Sequence, residues 1–193
     1  DADATEFLNV SISHLKSLVV EHEKYSSLDM LERYVTCYGK LYVELINVNP
    51  TSFVQLPCSI EIITTFMSLL EQKAEIIYKS SEENLFWESL ALKGFMILKK
   101  VVAFIYKKGA VVLKERNERD EVNAAIAKLS TQVFTIEVIQ HLCDLIIDWY
   151  LRLKPSDLEG WLLEPEEWCN EELSSSWEFQ SRHCAENFFQ DLV

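Results

Sequence analysis

LDMLERYVTCYGKLYVELINV, Leu28 to Val48, decides the class of fold. Its apolar positions are Leu28, Leu31, Val35, Tyr38, Tyr42 and Leu45, in alternating steps of three and four. That spacing draws one stripe down a helix, because side chains three and four apart lie one above the other. No strand reading survives it, since a strand would need strict alternation.

Working outward, the same spacing recurs. An earlier stripe holds Leu8, Ile12, Leu15 and Val19; a third holds Ile63, Phe66, Leu70, Ala74 and Ile77. A fourth runs from Trp87 through Ala91, Phe95, Leu98 and Val102 to Ile105. A fifth runs from Ile126 to Tyr150, and a sixth starts near Arg182 with Ala185, Phe188, Phe189 and Leu192. Breaks fall between them at YSSLD (25–29), NVNPTSFVQLP (47–57), KSSEEN (79–84) and KPSD (154–157). Proline biases the residue before it away from helix, and serine before a glutamate signals a helix start. The chain therefore predicts an all-α fold of about three antiparallel helix pairs. The expected layout is a pair over 1–50, a second over 51–108, a charged connection over 109–120, the long helix of a third pair over 121–154, an acidic Trp-rich loop over 155–181 and the start of a partner helix over 182–193. Pair lengths near those of HEAT units favour a stacked solenoid over a closed bundle. The helical pattern runs close to both termini, which is the expectation for a segment of a longer protein.

Composition narrows the function. The 193 residues are 49% hydrophobic, with only 4 Gly and 4 Pro, so neither a turn-rich β fold nor a Gly-rich phosphate loop can be built. A net charge of −13 opposes direct binding of nucleic acid or of an anionic membrane. The lysines that interrupt GFMILKKVVAFIYKKGAVVL (94–113) exclude a spanning helix there. Five cysteines without metal or redox spacing read as reduced, mostly buried thiols of a cytosolic or nuclear protein. The four histidines form no ligand set, and adjacent His183 and Cys184 diverge by about 100° on a helix, which keeps them from acting as a catalytic couple. No catalytic, cofactor-binding or metal-binding residue is assigned, and no enzyme is expected.

Two surface features remain. Lys93, Lys100 and Lys107 are spaced by seven and share a helix face, either a basic patch for an acidic partner or a solvated edge. The other is GWLLEPEEWCNEELSSSWEF (160–179), in the segment 155–193 that carries ten acids and one base, Arg182. There Glu159, Glu164, Glu166, Glu167, Glu171 and Glu172 form a candidate partner-binding acidic surface. Trp161, Pro165, Trp168 and Trp177 are its candidate anchors, because an indole buries a large apolar area. The alternative is a structural crossover whose charge only maintains solubility.

EPEEW (164–168), followed by Trp177, Arg182 and Ala185, resembles the importin-β (karyopherin-β) family of nuclear transport receptors. NPTSFVQLPCSIEI (49–62) resembles an inter-repeat junction of the importin-eleven subgroup. The resemblance implies an internal HEAT-repeat segment of a receptor that carries protein cargo through nuclear pores under Ran-GTP control, touches phenylalanine-glycine nucleoporins and shuttles between cytoplasm and nucleus. An acidic surface suits basic cargo and basic patches of Ran alike. A HEAT scaffold organising a stable assembly, without transport function, is the alternative.

Overall fold

A computed structural model describes residues 2–25, 29–80, 85–106, 116–174 and 180–193. Among these there is no strand. The helices are α1 (Ala2–Lys24), α2 (Asp29–Val48), α3 (Pro50–Gln55), α4 (Ser59–Lys79), α5 (Phe86–Tyr106), α6 (Arg116–Gln132), α7 (Ile136–Leu145) with a π-turn at Ile146–Tyr150, α8 (Pro155–Leu163), α9 (Pro165–Ser174) and α10 (Ser181–Leu192).

Cross-helix contacts give the directions. His14 meets Tyr38, Ser11 meets Tyr42 and His22 meets Glu32, so residue numbers rise on α1 as they fall on α2 and the pair is antiparallel. Lys73 lies over Trp87, while Gly94 sits against Phe66 and Leu70, so α4 and α5 are antiparallel too. Between pairs the numbers rise together. Lys16 pairs with Glu61 and Glu23 with Lys73, setting α1 parallel to α4. Glu88 meets Ser181, Phe95 meets Phe188 and Lys99 meets Asp191, setting α5 parallel to α10. His141 bonds Glu71 and Arg152 bonds Tyr78, carrying α7 and its π-turn along α4. Two layers result, α1–α4–α7 and α2–α5–α10, in which like helices of successive antiparallel pairs run parallel. This is the stacked-pair order of a HEAT solenoid.

The core lies between the layers. Ile12, Leu15, Val35 and Tyr42 are buried from the first pair, Ile62, Phe66, Leu70, Phe95 and Leu98 from the second, and Ile146, Tyr150, Ala185 and Phe188 from the third. Helix α5 is covered by α2, α4 and α10, which explains why its sequence is apolar almost all round. Gly94 eases the close α4–α5 approach: a Cβ there would stand 3.3 Å from Phe66 Cδ1, tighter than ordinary contact. Tyr150 ties the third pair to the second. Its hydroxyl donates to the Leu70 carbonyl at 2.6 Å and its ring meets Phe95 edge-on at 4.8 Å.

The structure corrects several expectations. The long helix over 121–154 is two helices. The Leu129 carbonyl accepts from both Val133 and Phe134 N–H, ending α6, and Thr135 then caps α7 through its bond from Val138 N–H. The first of them begins at Arg116, inside the stretch expected as a connection. The junction after α2 contains the short helix α3, capped by Asn49 Oδ1 accepting from Ser52 N–H at 3.0 Å with Pro50 as its first residue. Most of the expected loop over 155–181 is helical, as α8 and α9, each opened by a proline. Cysteines are less buried than expected: Cys37 and Cys169 are exposed, while Cys58 and Cys184 are buried.

Candidate functional site: an acidic helical arm

The π-turn hands the chain to α8 and α9, which form an arm inserted before α10. No residue of either helix is buried. The arm is rooted on one carboxylate, Glu88, in the first turn of α5. Lys154, the residue before α8, pairs with Glu88 Oε2, and Ser181, the first residue of α10, donates to Glu88 Oε1 at 2.6 Å. Both ends of the arm thus converge on the same side chain. The Lys154 N–H donates to Asp157 Oδ2 at 2.8 Å, which satisfies an open donor at the start of α8.

A second tie closes the far side. Glu172 on α9 pairs with Arg182, and His183 Nε2 lies 3.4 Å from Glu172 Oε2. All three side chains are about four-fifths buried. Burial, followed by the Arg182 charge, holds the His183 imidazole below its ordinary pKa, with Glu186 opposing. Within the arm, the α8–α9 contact is made at Gly160, where a Cβ would stand 3.3 Å from Trp168 Cδ1. A cleft of about 330 Å³ opens between the arm and the start of α5, lined by Glu88, Asp157, Glu164, Glu167, Trp168 and Glu171 among others.

Of the acidic candidates, Glu159, Glu164, Glu166, Glu167 and Glu171 are exposed. Glu167 is held above the usual carboxylate range by its hydrogen bond with Glu164, then by the charges of Glu164 and Glu171. Glu172 differs from the rest, because its charge is spent on Arg182 and His183 and it serves as a tie. The anchors divide as well. Trp168 is half-buried against Gly160, Pro165 opens α9, and Trp161 is 48% exposed. Trp177 lies outside the described residues.

Two residues of the lysine face, Lys93 and Lys100, are described. Lys93 is half-buried and donates to the Ser89 hydroxyl at 2.8 Å and to the Ser89 carbonyl, and burial lowers its pKa. Its packing follows from Gly39, whose missing side chain leaves room for the Lys93 stem. Lys100 is exposed, and Lys107 lies outside the described residues. Sequence reasoning missed Glu88, Lys154 and Ser181, which root the arm. The only available signal was their position beside helix starts.

Among the described residues, no group of three His, Cys, Asp or Glu side chains is placed to hold a metal ion, and no helix is long and apolar enough to cross a membrane. No protein-family model matches the chain. Over its whole length, however, it is 41% identical to Importin beta-like protein KAP120 of Saccharomyces cerevisiae. The segment is importin β-like. Its solenoid agrees with that similarity: it superposes along its whole length, with a TM-score of 0.91 and 39% identity, on Lph2, a bidirectional nuclear transport receptor of S. cerevisiae. Importin-11 of Mus musculus and of Homo sapiens is more distant, 22% identical over 166 residues, 85% of this importin β-like chain and 16% of theirs. The segment spans 19% of KAP120 and 19% of Lph2.

Proposed function

We propose that this chain is part of a non-enzymatic nuclear transport receptor that carries protein cargo through the nuclear pore under Ran-GTP control. The observation that carries the reading is the superposition of the whole chain on a solved transport receptor at a TM-score of 0.91. In this reading the intact protein shuttles between cytoplasm and nucleus, and its partners are Ran-GTP, cargo proteins and phenylalanine-glycine nucleoporins. It takes up no cofactor and binds neither nucleic acid nor membrane directly.

The arm is the recruiting surface for a basic partner. Its exposed carboxylates stand on two helices fixed at Glu88 and Glu172, so the negative field is presented in a constant orientation. Such a field raises association rates and excludes acidic competitors. The test is a pulldown of the intact protein on immobilised Ran loaded with GTP or with GDP. Retention on the GTP form alone is expected. Equal retention, or none, would reject Ran control and leave a static HEAT scaffold as the better description.

A further inference from the structure

We infer that the partner of the acidic arm is a basic amphipathic helix, docked along the outer stripe of α8. The inference rests on the reading that the arm recruits a basic partner, and it names the form of that partner.

Leu158, Trp161 and Leu162 stand at i, i+3 and i+4 on α8, so they form one stripe. They are 45%, 48% and 73% exposed. Gly160, which receives Trp168 of α9, lies about 160° round the helix from Leu158. The stripe therefore points away from α9, and among the described residues its side chains keep about half or more of their surface open to solvent. Single exposed leucines are ordinary on a protein surface, but a contiguous Trp–Leu stripe over one turn of a helix marks a contact surface.

The surrounding charge selects the occupant. From Pro155 to Ser174 there are seven carboxylates and no Lys or Arg. Glu159 borders the stripe on α8, and Glu164 and Glu166 stand just beyond its end. A second copy of this chain would bring a second set of carboxylates against the first, and an anionic lipid surface would be repelled in the same way. A purely basic extended segment would satisfy the charge but leave Trp161 and Leu162 wet. An occupant that meets both demands is apolar on one face and cationic on its flanks, which describes a helix laid against a helix with anchors at i, i+3 or i+4, and i+7.

The test uses two synthetic peptides of about 18 residues. One carries Leu at helical spacing among Lys; the other is a scramble of the same composition with no apolar face. Binding to the 193-residue chain is read by fluorescence anisotropy at low ionic strength. The amphipathic peptide is expected to bind at least about 10-fold more tightly than its scramble, and Leu162→Ser should remove most of that preference, as truncation of an interface anchor does. Thermal melting should be unchanged for Leu162→Ser because that side chain is solvated, and Trp161→Ser serves as a second variant of the same stripe. Equal binding of the two peptides would overturn the docking inference while the basic-partner reading stands. Failure of both peptides to bind would overturn the basic-partner reading itself. A dimer of the free chain in sedimentation, abolished by Leu162→Ser, would assign the stripe to a second copy and overturn the proposal.

Discussion

Neutralising Glu159, Glu166 and Glu171 together as Gln is expected to weaken binding of a basic peptide without weakening the fold, whereas Glu172→Gln should do the reverse. The three outer side chains are exposed and make no ion pair with the solenoid among the described residues. Surface changes of this kind fall within about 0.5 kcal/mol of neutral, which is about 1–2 °C in melting temperature for a chain of this length. In water a carboxylate about 10 Å from a cation contributes about 0.4 kcal/mol, so three removed charges cost about 1.2 kcal/mol, roughly an 8-fold fall in affinity at low ionic strength. At physiological salt the Debye length of about 8 Å shrinks that fall severalfold. Glu172 is another matter. It is 22% exposed and holds Arg182 and His183, and cutting a partly buried, charge-assisted tie of this sort costs about 1–2 kcal/mol, or about 3–6 °C. Anisotropy titrations at two salt concentrations, with melting curves beside them, read both effects. If the triple variant binds at wild-type affinity in low salt, the outer carboxylates recruit nothing. If Glu172→Gln melts unchanged, the arm is not held in the way argued.

Tyr150→Phe removes the 2.6 Å bond to the Leu70 carbonyl but leaves the ring against Phe95, so chemical denaturation should show a loss of about 1 kcal/mol, far less than Tyr150→Ala. Trp168→Ala should cost about 1–2 kcal/mol and reduce helical circular dichroism by unpacking α8 from α9, while Trp161→Ala leaves both nearly unchanged. Alkaline stability should decline: burial pushes the Tyr42 hydroxyl up to about 12, against a smaller pull from its bond to Ser11, and burial followed by the Glu88 charge raises Tyr150 as well. The unfolded chain then loses those protons first, so stability is full below pH 10 and falls as pH rises toward 12; urea midpoints that stay flat across that range would refute it.

How much of this was legible depends on what a residue's neighbours do. Stripes such as Leu31–Val35–Tyr42 and Phe66–Leu70–Ala74 were readable because periodicity records burial, and these helices bury one face each. In the sequence the arm reads as a loop for the same physical reason. A helix with no fully buried residue shows no long core-facing stripe, and neither α8 nor α9 has one. The signal that could have found them was the pair of prolines, Pro155 and Pro165, each in first-turn position with acids after it, a pattern that favours a helix start as much as a turn. The break at Val133–Thr135 carries neither Gly nor Pro; it is marked by the local backbone bonds onto the Leu129 carbonyl and by the Thr135 cap. Charge was legible as a count but not as a role. Glu171 and Glu172 are neighbours in sequence, yet one faces solvent and the other is a tie, because consecutive helical residues point about 100° apart and Arg182 stands on only one side of α9. Lys93 and Lys100 share a helix face yet differ in exposure, because the Lys93 stem packs into the space that Gly39 leaves. What makes the arm a candidate interface is therefore a property of the pairings around it, in which Lys154, Ser181, Arg182 and Glu172 hold two helices whose exposed carboxylates make no ion pair with the solenoid among the described residues.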